Sequence, residues 1–322
     1  MRYDFKSGFG ESLNKFVEQK NAIGIAFSSN IWVLSGFDKM CTLRYPSANV
    51  LTREICDEWA LKKPTECGNT FRNRISPIRE FAKYLIRNGE EAYVIPTDLA
   101  KKSPRHLPYI YSKDEIKTIW NEYDSFNPVP YLPARHIVLP AVMRVIYCCG
   151  LRPVEACRLK TQDVDLSIGK LHIRESKGHK DRIVMMADDV AEYLSEYDKK
   201  LRKILPRRDW FFTDAYGECC TVKWLDHIFL RVYRKLGVCG INGTAPRIYD
   251  FRHSFATHRL YEWMRNGDDL NAMLPYLSAY MGHAELSDTY YYIHLVPEQF
   301  AAMSGVNLTH FEGLLPEVDY DN

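Results

Sequence analysis

The sequence predicts a mainly α-helical protein of two domains with one small β-hairpin or sheet. Three observations carry this. Apolar residues recur at helical spacing in four blocks before Arg87. The stretch from Asn88 to Pro108, with Gly89, Pro96, Pro104 and Pro108, then interrupts the pattern, as Gly and Pro do in connections. Beyond it helical blocks resume, broken once by period-two alternation over Lys170 to Ser176 and Asp181 to Met186. A chain of 322 residues is long enough for two domains. The expected bounds are a helical domain over 1–90, a linker over 91–109, a mixed α+β domain over 110–304 and an acidic tail over 305–322.

In the first domain, Phe9, Leu13 and Phe16 mark a helix from Phe9 to Gln19. Ile23 to Met40 reads as a second, aromatic helix, and Leu51 to Leu61 as a short third with Thr52 as its cap. The fourth runs from Asn69 to Arg87. Its Phe71, Ile75, Ile78, Ala82 and Leu85 face a core, while Arg72, Arg79, Lys83 and Arg87 form a basic stripe. Ser76-Pro77 is expected to kink or split that helix, or to mark its true start, because proline lacks a backbone donor. Lys101, Lys102 and Arg105 make the linker basic, suited to crossing a phosphate backbone.

In the second domain, Ser112 with Glu115 three residues on is a capping box ahead of Ile116, Ile119 and Trp120. Ala134 to Cys149 reads as a buried helix stopped by Gly150. Arg152 follows at the start of a new helix, where Pro153 suits the first turn. The hairpin turns at Lys177-Gly178-His179-Lys180, where Lys177 can swing over a ligand. Asp250 is expected to cap a helix whose inward stripe is Arg252, Ala256, Leu260 and Trp263. An arginine aimed inward at a helix N-terminus suits an anion. A second apolar run ends at Gly282-His283, and Tyr290, Tyr291 and Tyr292 crowd just beyond. An arginine, a histidine and a tyrosine converging make a phosphate-handling site with a phenolic nucleophile.

Composition bounds the function. Hydrophobic content of 46% with 26% charged residues is ordinary for a soluble globular protein. No apolar run approaches the roughly 18–20 residues that cross a bilayer, and the N-terminus carries no apolar leader. Among nine cysteines there is no C-x-x-C pair, so reduced thiols in a cytoplasmic protein are expected, with neither disulfide framework nor metal site. A net charge of +2 does not announce nucleic acid, but its distribution is uneven. Residues 1–105 hold 17 Lys and Arg against 12 Asp and Glu, whereas 305–322 hold four acidic residues and no Lys or Arg. A basic front fits a grip on phosphate, and an acidic tail fits docking on protein.

G-L-R-P-V-E at 150–155, S-K-G-H-K at 176–180, F-R-H-S-F-A-T-H at 251–258, M-G-H at 281–283 and Y-I-H at 292–294 together resemble the tyrosine recombinase (phage integrase) family. Order and spacing agree over 110–300, and 10–90 is similar, less specifically, to that family's helical, SAM-like core-binding domain. The resemblance implies that Arg152 and Arg252 are the two catalytic arginines and Glu155 their supporting acid. It likewise implies that Lys177 is the general acid, His283 a phosphate donor and Tyr292 the nucleophile, with Tyr290 and Tyr291 as rivals. The family's second box begins H-x-x-R, but here the histidine position is Tyr249. A phenol, with an ordinary pKa of about 10, donates a hydrogen bond but is a poor base near neutrality. The departure touches base assistance and leaves the phosphate clamp intact.

The implied reaction is metal-independent and needs no cofactor. Tyr292 attacks a DNA phosphodiester, forms a 3′-phosphotyrosine and releases a 5′-hydroxyl, and strands exchange through a Holliday junction. The implied partners are double-stranded DNA and further copies of the chain, four protomers joining two duplexes, with related recombinases or accessory proteins in addition. The implied location is cytoplasmic, on the bacterial nucleoid. Arg72, Arg79, Lys83, Arg87, Lys101 and Lys102 are the expected DNA contacts. The segment from Pro297, with Ala301, Ala302, Met303 and Val306, would pack on a neighbouring protomer or on its own. An added domain ahead of the first bundle is expected to be absent, which favours a compact Xer-like, integron-like or transposon-borne enzyme. Three alternatives stay open: a DNA-binding protein with an impaired site, a type IB topoisomerase-like nicking–closing enzyme, and a phosphotransferase acting off DNA. Against the last, there is no Gly-rich phosphate loop.

Overall fold

A computed structural model describes residues 3–25, 27, 30–100, 107–174, 181–214, 216–237 and 245–300, the side chains of 294–300 excepted. The chain divides into two compact units, Met1–His106 and Leu107–Asn322. The architecture is mainly helical with one three-stranded antiparallel sheet, the class that the sequence predicts. Among the described residues no helix is long and apolar enough to cross a membrane.

The first unit is a bundle of α1 (Gly10–Ala22), α2 (Ile31–Arg44), α3 (Arg53–Trp59) and α4 (Gly68–Arg87). Its core joins Leu13, Phe16 and Val17 to Val33, Leu34 and Phe37, and to Ile75, Ile78 and Phe81 of α4. The Thr52 hydroxyl caps α3 by accepting from the Ile55 N–H. The second helix begins later than expected. Gly24, at φ +77°, ends the run of α1, and the apolar residues just after it precede α2. Nor does Pro77 split α4. The helix runs through it, because the carbonyl that loses its partner belongs to Asn73, which faces solvent.

The basic stripe on α4 needs one correction. Arg72, Lys83 and Arg87 are exposed, but Arg79 is buried. Its guanidinium donates to the carbonyls of Ile95 (2.7 Å) and Pro96 (2.7 Å). The cause is non-local. Residues 92–100 of the expected linker fold back on this unit, with Ala92 bridged to Leu51 and with Ile95 and Ala100 in the core. Arg79 is the pin that holds the return, so Arg79→Ala is expected to destabilise this unit by about 1–3 kcal/mol. The salt dependence of any DNA binding should be unchanged. Denaturant unfolding alongside salt-titrated binding checks both. Lys101 and Lys102 lie outside the described residues.

The second unit opens with α5 (Lys113–Asp124), capped reciprocally by Ser112 and Glu115 (3.1 and 2.7 Å). α6 (Arg135–Cys148) is its central helix, with Val138, Leu139, Val142, Val145 and Ile146 fully buried. After the single-turn α7 (Pro153–Cys157) come β1 (Val164–Asp165), β2 (Lys170–Ile173) and β3 (Arg182–Met185) in the order β1-β2-β3. Leu171 pairs with Val184 and Ile173 with Arg182, so all four share the inner face. α8 (Asp188–Arg202) and α9 (Val222–Leu236) complete this core. A smaller core is built by α10 (Tyr249–Asn266), α11 (Leu270–Met281) and α12 (Ser287–Phe300). It contains Ala256, Leu260, Leu274, Leu277, Met281, Tyr292 and Ile293. Asp250 is not the cap of α10. It sits inside the first turn, fully buried, and its carboxylate accepts from the N–H of Arg247 at 2.8 Å.

Candidate active site

The site grows from two helix ends. α6 stops at Gly150, at φ +58°, and α11 stops at Gly282, at φ +66°. Both backbones are left-handed there, which favours glycine. Neither position has room for a side chain. A Cβ on Gly150 would lie 2.4 Å from the Phe255 ring, and one on Gly282 would lie 2.9 Å from Arg182. The carbonyls at these two ends hold the two arginines singled out by the sequence.

Arg252, one turn into α10, is 1% exposed. It donates to the carbonyls of Gly150 (2.6 Å) and Met281 (2.6 Å). Arg152, just ahead of α7, donates to the Gly282 carbonyl at 2.9 Å and to Glu155 at 2.7 Å. It also reaches the phenol of Tyr249. Burial lowers the pKa of Arg252, and the like charge of Arg152 adds to that, partly offset by Tyr292, Tyr249 and Glu155. For Arg152 burial also pulls down, but the ion pair with Glu155 outweighs it and the pKa rises.

Glu155 is buried and organises the cations. Burial alone would raise its pKa, yet Arg182, the Arg152 N–H and Arg252 hold it down at about 2. Arg182 grips it with both terminal guanidinium nitrogens (2.8 and 2.8 Å) and donates through Nε to the Tyr280 carbonyl at 2.9 Å. Sequence reasoning missed Arg182. A signal was present, since period-two alternation inward at Val184 and Met186 also puts Arg182 inward.

Tyr292 is 3% exposed, in the small core. Burial pushes its phenol up to about 12, against the lowering effect of Arg252, which hydrogen-bonds it, and of Arg152. The His283 ring lies 5.8 Å from the Tyr292 ring, and its Nδ1 engages the buried Thr289 hydroxyl at 2.7 Å. Tyr290 and Tyr291 are half-buried on the same helix. Tyr249 is 38% exposed and, with Arg152, Asp226, Phe229 and Arg247, lines a cavity of about 440 Å³. Thus Arg152, Glu155, Tyr249, Arg252, His283 and Tyr292 come together. Lys177, which falls between β2 and β3 in the sequence, lies outside the described residues, as do 301–322. No group of three or more metal-ligating side chains occurs among the described residues.

Known proteins share this arrangement's frame. XerH bound to its difH substrate in a pre-cleavage complex aligns with a TM-score of 0.62 at 20% identity, over 91% of this chain and 83% of that one. A lambda integrase dimer bound to a COC′ core site aligns at 0.60 and 16% identity, over 88% and 94%. These likenesses are of fold. In sequence, the y4rB protein of Sinorhizobium fredii (strain NBRC 101917 / NGR234) is 27% identical over 304 residues, 91% of this chain and 94% of that one. Tyrosine recombinase XerD of Listeria monocytogenes (serotype 4b, strain F2365) is 30% identical over 227 residues, 69% of this chain and 70% of that one. The model of the phage integrase family matches residues 110–299. The chain belongs to the phage integrase family and is a site-specific tyrosine recombinase.

Proposed function

We propose that this recombinase cuts and rejoins duplex DNA through a 3′-phosphotyrosine on Tyr292, as a tetramer that exchanges strands through a Holliday junction. The observation that carries the reading is one contact network. Arg152 and Arg252 are tied to the carbonyls of Gly282 and Met281, and Tyr292 touches both Arg252 and His283. The Tyr292 oxygen attacks phosphorus and the bond to the 5′ oxygen breaks. Charge builds on the non-bridging oxygens, where two guanidiniums act in forked geometry and His283 donates a further hydrogen bond. Lys177 protonates the departing 5′ oxygen. The covalent link keeps the bond energy, so a 5′-hydroxyl from a second duplex reseals the strand. The guanidiniums supply the positive charge, and these roles call for no metal.

On this reading Arg72, Lys83 and Arg87, exposed on α4, grip phosphates with Lys101 and Lys102. The enzyme works on the nucleoid, in integration, excision or a related exchange. The relatives' DNA complexes support the duplex as substrate.

The test is covalent trapping. Nicked suicide duplexes covering the DNA that flanks the gene are incubated with the protein in a metal chelator and run on a denaturing gel. The expected result is an adduct whose nucleotide-bearing peptide maps, by mass spectrometry, to Tyr292. Mapping to Tyr290 or Tyr291 would move the nucleophile. A duplex bound tightly without any adduct would sink the phosphotyrosine reading.

A further inference from the structure

We infer that His253 is the proton acceptor for Tyr292, an imidazole one helical turn beyond the position that the recombinase motif reserves for one. The inference rests on the phosphotyrosine reading above.

The chemistry sets the need. Tyr292 must shed its proton to attack, and it lies buried in a setting that favours the neutral phenol. The motif position that would supply an imidazole holds Tyr249, whose phenol is a poor base near neutrality. That phenol is also partly committed, since Arg152 reaches its oxygen.

Geometry supplies the substitute. Residues 249 and 253 are four apart on α10, so both side chains leave the same face, one turn apart. The His253 ring is 5.1 Å from that of Tyr249 and 5.5 Å from that of Tyr292. It therefore packs against both the phenol at the motif's histidine position and the phenol that must be deprotonated. Its ring contacts Tyr249 on its own helix and Tyr292 on α12, Arg252 hydrogen-bonds Tyr292, and Arg152 reaches Tyr249. His283 also touches the Tyr292 ring, but its Nδ1 is engaged by Thr289. Imidazole is the side chain whose unperturbed titration falls near neutrality, which suits an acceptor that must later give the proton back.

The step balances. The Tyr292 O–H proton passes to a ring nitrogen of His253 as the phenol oxygen bonds to phosphorus. The bond from phosphorus to the 5′ oxygen breaks, and that oxygen takes a proton from Lys177. In resealing, the His253 imidazolium returns its proton to the departing Tyr292 oxygen.

The experiment measures single-turnover cleavage of a suicide duplex by wild type, His253→Gln and Tyr249→Phe. Each is made with tyrosine and with 3,5-difluorotyrosine at position 292. Fluorination lowers the phenol pKa, so the nucleophile depends less on a base. His253→Gln is expected to cleave about 100-fold more slowly or worse, with unchanged DNA affinity, and difluorotyrosine should restore most of that loss while changing wild type little. Cleavage by His253→Gln at the wild-type rate would overturn the assignment. So would a loss that difluorotyrosine leaves unrepaired, which would make His253 a packing residue. Rescue confined to Tyr249→Phe would move the acceptor to Tyr249. The wild-type lane separates these outcomes from failure of the reading beneath them, because a bound duplex that yields no wild-type adduct removes Tyr292 itself as nucleophile.

Discussion

Arg252→Ala is expected to slow strand cleavage about 1,000-fold, the scale of losing one preorganised donor to a developing oxyanion, while duplex affinity barely moves. The side chain is fully buried and fixed by two carbonyls before any substrate arrives. A cation held in place costs no reorganisation when charge develops beside it. Arg252→Lys should do little better. An ammonium is a point charge and cannot span the Gly150 and Met281 carbonyls while offering a fork to phosphate. Single-turnover rates on a suicide duplex check this, with thermal unfolding run in parallel to separate lost chemistry from lost fold.

The second large effect falls on stability and centres on Glu155. In the folded protein its pKa is held at about 2, below the unfolded range, so it is a carboxylate that folding depresses. Its stabilising contribution is present in full above an unfolded pKa of about 4.3 and is lost as pH falls toward the folded value. A depression of that size corresponds to about 3 kcal/mol. Urea unfolding followed downward from neutral pH should show this fall between about pH 4.5 and 2. Glu155→Gln should flatten that segment. It should also cost about 3–5 kcal/mol at neutral pH, because Arg152 and Arg182 are then left facing each other without their shared anion. Wild-type stability at neutral pH in the glutamine variant would show that the ion pairs are not what holds this corner together.

Much of the site was legible because its residues sit at punctuated places. Gly150 and Gly282 announce the helix ends beside Arg152 and His283, and Arg252 lies in the first turn of α10. The mainly helical class, the Ser112 box and the hairpin followed from local periodicity and capping chemistry. What the sequence hid was non-local. Arg79 lies on a stripe with Lys83 and Arg87, and only the return of 92–100 turns it inward. Arg182 reaches Glu155 across 27 residues of chain, a pairing that no window of the sequence contains. Asp250 has the chemistry of a cap, but the turn at Arg247 and Ile248 winds one step earlier and encloses it. His253 is simply the neighbour of Arg252 in the sequence, and only the fold sets it against Tyr292.

The two arginines rest on carbonyls at the ends of α6, a largely buried helix, and of α11, which packs one face into the smaller core. That makes the length of those helices part of the active site. Inserting or deleting one residue in either would turn its terminal carbonyl by about 100° and withdraw it from the guanidinium it anchors. Descendants of this chain should therefore tolerate conservative exchange along α6 and α11 far more readily than any change in residue count.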